Sequence, residues 1–374
     1  MTPFAIASPP RILFGRGGAA KAPALIRAFG LRGVIVHGAN ADRARWLTEA
    51  LPDTLAIACA GEPTLTDLDA ALGQARAHAP QWVAAIGGGA VLDMGKALAA
   101  LVPSASPAMD HLEVVGRSLP LTTAPLPFIA IPTTSGTGAE ATRNAVIGLP
   151  DHGRKVSLRD DRMIARLAIV DPALTDHCPR GVTLASGLDA LVQVIEPYVS
   201  CKATPYTDAL TRPAIGPGLA ALRRLMDGED SAARDTMAWV SLCGGLALSN
   251  AGLGAVHGFA GVIGGMTGAA HGAICGALIG PVLAANCAAS SGNARERLGQ
   301  VCDIIAAAFG TAADAAPQAL QTWARGAGLS DLAGLGVRPE DHAAIVAASA
   351  SASSMKGNPV LLPDAALLDI LRRS

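Results

Sequence analysis

The chain has 374 residues, room for two or three domains, and a formal net charge of −1. Hydrophobic residues make up 51%, aromatics 3% and charged residues 16%, whereas a typical soluble domain carries about 25% charged residues. This balance excludes a disordered chain, a collagen-like repeat and a dedicated nucleic-acid binder, which would need a basic surface and aromatics to stack on bases.

In the first half, strand-like and helix-like runs alternate. Residues 11–14 form a short strand signal, 19–29 a helical run ended by Gly30, and 33–37 a β-rich run closed by Gly38. Residues 67–78 are a predicted helix with Thr66 as first choice of cap and Thr64 as second. Residues 82–86 are a buried strand, 90–101 a helix, and 127–131 a strand, with further strand signals at 145–147 and 167–170. Alternation of this kind implies a parallel sheet covered by helices. From about Arg180 helix-period runs dominate, and Pro339 and Pro363, each followed by acidic residues, start helices near the end. The predicted division is therefore an α/β domain over 1–180 and an all-α domain over 181–374.

No Asp, Glu, Lys or Arg occurs from Thr236 to Ala294. Residues 239–253 and 273–289 approach the hydropathy of a membrane span, which needs about 20 mostly apolar residues. Against this, the charge-free stretch holds Asn250, His257, His271, Pro281 and Asn286, and aromatic belts and flanking basic clusters are missing. The reading is buried core helices. The seven cysteines are scattered without a CxxC pair, and the N-terminus lacks the pattern of a signal peptide, so a reducing, cytoplasmic setting is expected.

Two loops suit a nucleotide. The strand ending at Ile86 runs into Gly87-Gly88-Gly89 and then a helix carrying Asp93 and Lys96. Missing side chains let the backbone approach a phosphate while helix N-terminal amides point at it. The next strand ends in Pro132-Thr133-Thr134-Ser135-Gly136-Thr137-Gly138-Ala139-Glu140, where hydroxyls and exposed amides can hold pyrophosphate oxygens or a ribose. Either loop alone is also compatible with a tight βα turn; two in neighbouring units favour a nucleotide crevice.

A metal set is spread over helices. His257 and His271 lie fourteen residues apart, roughly 21 Å along one straight helix and too far to share an ion. Gly264-Gly265 and Gly268 fall between them, and a break there lets two helices converge. Residues 184–195 form a buried helix holding Asp189, with Gln193 one turn on. A buried carboxylate needs a partner, and one Asp with two His is a mixed O/N set for Fe(II) or Zn(II).

With these residues in view, the chain resembles the iron-containing (group III) alcohol dehydrogenase family of the dehydroquinate-synthase-like superfamily. The resemblance rests on Phe14-Gly15, Gly87-Gly88-Gly89 with Asp93 and Lys96, the 132–140 loop, Asp171-Pro172, Gly187-Leu188-Asp189-Ala190-Leu191, Gly254-Ala255-Val256-His257-Gly258 and His271-Gly272. It implies a Rossmann-like parallel-sheet nucleotide-binding domain and a C-terminal helical metal-binding domain. It also implies NAD(P)-linked interconversion of an alcohol with an aldehyde or ketone, with the metal polarising the substrate oxygen, and a homodimer as the common assembly. Position by position, it implies that Gly87, Gly88, Thr133, Thr134, Thr137, Asn144 and Lys155 contact cofactor. Gly38, Gly89 and Asp93 are counted with that site. The metal ligands implied are Asp189, His257 and His271, which are also the catalytic residues.

Three positions depart from the family pattern. Gln193 stands where the usual second ligand is His; its carbonyl oxygen is a weaker donor, which leaves Fe2+ or Zn2+ open. Gly261 replaces a His near the nicotinamide. Gly38 stands where NAD-preferring members often carry Asp, so a 2′-phosphate is not repelled and NADP is admitted beside NAD, with Asn40 and Arg43 nearby. Ala251, Leu253, Phe259 and Val262 suggest an uncharged substrate pocket. The alternatives within the superfamily are a maleylacetate reductase, a dehydroquinate-synthase-like cyclase and a metal-depleted nucleotide-binding relative. The first has Asn-Ala where this chain has Asp189-Ala190; the second needs Lys and Arg that residues 236–294 do not supply.

Overall fold

The computed structural model describes residues 3–374. They form two compact units, one of residues 7–134 and 138–175, the other of 176–374 with 3–6 and 135–137. The division read at residue 180 thus falls five residues earlier, after the short turn Pro172–Thr175 that follows the last strand, and three loop residues belong with the helical unit.

The first unit contains strands β1 (Ile12–Phe14), β2 (Gly33–His37), β3 (Thr54–Ala58), β4 (Trp82–Gly87), β5 (Phe128–Pro132), β6 (Asn144–Leu149), β7 (Arg154–Arg159) and β8 (Leu167–Val170). Its helices are α1 (Ala22–Arg27), α2 (Arg45–Ala50), α3 (Leu65–His78), α4 (Gly89–Leu101) and α5 (Ala108–His111). Six strands form a parallel sheet in the order β1-β8-β5-β4-β2-β3. Its central strands are buried throughout because both faces are covered. Val34, Val36, Val83, Ala85 and Ala130 join the core on the α3–α4 face. Ile35, Trp82, Ala84, Ile86 and Ile129 alternate with them into the core beneath α1 and α2.

Three sequence expectations change. The helix 67–78 begins at Leu65, and Thr64 rather than Thr66 caps it: Thr64 accepts from the Asp67 N–H while Asp67 accepts from the Thr64 N–H. The signal at 145–147 belongs to β6, which pairs antiparallel with β7 as a separate hairpin. Strands β3 and β7 were not anticipated; β7 carries Arg154, Lys155 and Arg159, which mask its period-two pattern.

The second unit is helical: α6 (Arg180–Val199), α7 (Pro205–Asp227), α8 (Ser231–Ala251), α9 (Ala255–Thr267), α10 (His271–Ala289), α11 (Gly292–Phe309), α12 (Ala316–Gly326), α13 (His342–Ser349) and α14 (Asp364–Arg373). The charge-free stretch spans α8 to the start of α11. By length and composition α10 could cross a membrane, and α8 with α9 form a pair bent by 99°. Instead Ile274, Ala277, Leu278 and Ile279 of α10 pack into one core with α6, α9 and α12, so the missing charge is explained by burial.

Candidate metal centre and nucleotide turn

The turn between β4 and α4 lies at the C-terminal edge of the parallel sheet, beside the point where the strand order reverses around β2, the place where open α/β sheets bind ligands. Gly88 is the N-cap of α4 and offers no side chain to its first-turn amides. A Cβ on Gly87 would lie 2.6 Å from Val91, so only glycine lets the turn close so tightly. Gly88 approaches Thr134, and the Thr133 N–H donates to the Gly87 carbonyl (2.9 Å), which joins the two loops. Gly38 follows β2 on the other side of the reversal.

The remaining residues assigned to cofactor are placed differently. Asp93 Oδ2 accepts from the Val146 N–H (3.0 Å), and Oδ1 pairs with Lys96 Nζ (3.2 Å). Lys96, fully buried, also donates to Thr142 Oγ1 and the Asn144 carbonyl. Asp93 and Lys96 therefore tie α4 to β6. Lys155 forms an ion pair with Glu62. Thr137 is in the three-residue piece that belongs to the helical unit, whereas Gly89, Thr133, Thr134 and Asn144 stay with the sheet. Asp171, in the Asp171-Pro172 motif, accepts from the N–H groups of Gly17, Ala19 and Ala173 and holds the turn after β1.

In the helical unit, α6 supplies Asp189 and Gln193, α9 supplies His257, and α10 supplies His271 as its first residue. The chain turns between α9 and α10 at Gly268 (φ 70°); Gly264-Gly265 remain inside α9. The imidazole centroids come to 5.3 Å. Gly272 makes the approach possible, because a Cβ there would sit 2.4 Å from the Ala185 carbonyl of α6. His257 Nε2 lies 3.3 Å and His271 Nε2 3.8 Å from Asp189 Oδ1.

Two residues absent from the sequence reading complete the arrangement. Glu196, two turns after Asp189, accepts from His257 Nδ1 (2.7 Å) with one oxygen and from the Val256 N–H (2.7 Å) with the other. The carboxylate thereby fixes the imidazole tautomer and presents Nε2 to Asp189. Cys275, one turn after His271, joins Asp189, His257 and His271 in a set of donor atoms all within 4.8 Å of one another. The i, i+4 spacing from His271 was the available signal for Cys275, and i, i+7 from Asp189 for Glu196.

Electrostatics favour a cation. Burial works against the Asp189 carboxylate, but the nearby charges of His271 and His257, with a hydrogen bond from Gln193, hold its pKa below the usual value. Burial also opposes protonation of the imidazoles, yet Cys275 and Asp189 hold both above normal, His271 at about 9. Asp189 Oδ1 is buried and receives no hydrogen bond. A buried carboxylate oxygen without a donor, faced by two imidazole nitrogens, fits a divalent ion. Gln193 gives its amide NH2 to Asp189 Oδ2 (3.1 Å) and the Gly136 carbonyl (3.3 Å). The pocket residues expected from sequence are mostly core: Ala251, Leu253 and Phe259 are buried, and only Val262 is partly open.

The family model described as iron-containing alcohol dehydrogenase matches residues 9–172, and that of the family's C-terminal domain matches 183–374. The chain belongs to the iron-containing alcohol dehydrogenase family. It is an oxidoreductase of the iron-containing alcohol dehydrogenase kind. Probable alcohol dehydrogenase EutG of Salmonella typhimurium is 33% identical over 83% of this chain and 77% of its own length. The NAD-dependent methanol dehydrogenase of Bacillus methanolicus is 34% identical over 68% of this chain and 67% of its own. An alcohol dehydrogenase from an archaeon of a Red Sea brine pool has the same fold (TM-score 0.89, 24% identity, all of this chain and 98% of that one). So does the NADH-dependent butanol dehydrogenase A of Thermotoga maritima (TM-score 0.83, 22% identity, all of this chain and 98% of that one).

Proposed function

We propose that the chain moves hydride between a small, uncharged alcohol and a nicotinamide dinucleotide, with Asp189, His257 and His271 as the metal-holding residues. The carrying observation is the buried Asp189 Oδ1, without a hydrogen-bond donor between two imidazole nitrogens. A divalent ion bound there supplies Lewis acidity toward the alcohol or carbonyl oxygen. Glu196 keeps His257 in one tautomer, and Gln193 steadies Asp189 through its second oxygen. The charge-free helices provide a water-poor surround suited to hydride transfer. The backbone of Gly87, Gly88 and Gly89 at the start of α4, with Thr133 and Thr134, holds the pyrophosphate. Gly38 leaves the end of β2 without a carboxylate, so NADP is accepted along with NAD. Small aliphatic alcohols are the substrate class. Methanol and butanol figure in the names of two similar proteins, and α9 and α10 carry no Asp, Glu, Lys or Arg for an ionic group.

His271→Ala is the test. Metal content by elemental analysis and NAD(P)H-dependent turnover over an aldehyde panel should both collapse; survival of both overturns the reading. Cytoplasmic location and a homodimeric state belong to the same proposal. Cell fractionation checks the first and light scattering on the purified protein the second.

A further inference from the structure

We propose that Cys275 is the fourth protein donor of the metal centre, so that the ion is held by one carboxylate, two imidazoles and one thiolate. This rests on the metal reading above and adds a ligand and a metal preference to it.

Cys275 is completely buried and lies on α10 one turn beyond His271. Its Sγ is 3.6 Å from His271 Nε2 and 3.9 Å from His257 Nε2. Four donors around one zinc-sized ion have a characteristic set of edges. With metal–nitrogen and metal–oxygen bonds of about 2.05 Å and a metal–sulfur bond of about 2.3 Å, tetrahedral angles give N···O edges of ~3.3 Å and S···N edges of ~3.6 Å. The structure has N···O separations of 3.3 and 3.8 Å and S···N separations of 3.6 and 3.9 Å. These four edges are within about half an ångström of that geometry, and all four donor atoms lie within 4.8 Å of one another.

Gln193 is the competing donor, since its Oε1 is also buried without a partner. Its amide, however, is anchored to Asp189 Oδ2 and the Gly136 carbonyl, whereas the imidazoles face Oδ1. Cys275 shares the side of the imidazoles; Gln193 braces the carboxylate from its other oxygen. As an ion binds, the Cys275 thiol gives its proton to solvent and its sulfur lone pair to the metal. A soft thiolate beside two imidazoles favours zinc over iron.

Cobalt replacing the resident ion reports the donor set. The stripped enzyme reloaded with Co(II) should take up one equivalent and show a near-ultraviolet sulfur-to-cobalt charge-transfer band. Cys275→Ser should keep the equivalent of cobalt and lose the band. X-ray absorption at zinc in the unmodified enzyme should find one sulfur at about 2.3 Å, a measurement independent of how the variant folds. One equivalent of cobalt without the band, a band that persists in Cys275→Ser, or a zinc shell without sulfur overturns the thiolate while leaving the metal site standing. Failure to take up cobalt overturns the metal reading and the thiolate together.

Discussion

The two proposed binding regions are built from opposite parts of the chain's chemistry. At the sheet edge the contacts are largely backbone: Gly87 and Gly88 have no side chains, and the first-turn amides of α4 are left available by a glycine cap. In the helical unit the contacts are side chains, drawn from three helices and spread over residues 189–275. A backbone site tolerates many sequences but fails when a side chain intrudes. A side-chain site is sensitive to each donor and to whatever aims it.

This contrast orders the consequences of mutation. The largest effect is expected at the metal donors. Asp189→Asn should lower kcat/KM by about a thousandfold, several kcal/mol of lost transition-state stabilisation, with metal content falling in parallel. If activity fell while metal remained, the side-chain site would be something other than a metal centre. Next is Glu196→Ala, which removes the carboxylate that accepts from His257 Nδ1 and the Val256 N–H. It should weaken metal affinity ~10–100-fold, measured by chelator competition. Partial rescue by Glu196→Gln would separate orientation from charge.

On the backbone side, Gly87→Ala puts a methyl against Val91. It should raise the KM for cofactor and cost about 1–3 kcal/mol of stability, read from denaturant titration, with metal content unchanged. Loss of metal in this variant would break the comparison. Gly38→Asp should then raise the KM for NADPH by about tenfold, the size of one ~1.4 kcal/mol interaction, and leave the KM for NADH nearly unaltered.

The smallest effect concerns Glu140, buried in the sheet unit, where burial, against the partial relief of Lys96, raises its pKa from 4.5 to about 7. Below pH 4.5 the carboxyl is protonated folded and unfolded. Between pH 4.5 and about 7 the unfolded chain ionises first, so stability falls, and above that range the burial penalty persists. Glu140→Gln should flatten this slope and raise Tm at pH 8, by ~2–4 °C for each kcal/mol relieved. An unchanged slope would assign the pH dependence to another group.

Much of this molecule was legible before folding. Runs such as 33–37 and 82–86 are continuous and apolar because the parallel sheet is covered on both faces, so β2 and β4 were found almost to the residue. Antiparallel β7 was missed because its charged residues hide the alternation. Residues of a binding motif also serve the fold, which the motif alone does not show: Asp93 and Lys96 hold β6, and Lys155 pairs with Glu62. The convergence of Asp189, His257 and His271 was legible because polar residues among apolar ones demand a partner.

The sequence by itself determined most of the element types, the glycine turn, the necessity of a break between the two histidines and the missing charge around them. These follow from hydrophobic periodicity, backbone sterics and the cost of burying a polar group. Only the tertiary structure decided where the chain turns, at Gly268 rather than Gly264-Gly265, and which side chains then meet. Glu196 and Cys275 meet the histidines because α10 packs against both α6 and α9, with Gly272 allowing α10 to touch the backbone of α6. Distances between atoms on different helices are set by packing, and no local pattern along the chain encodes them.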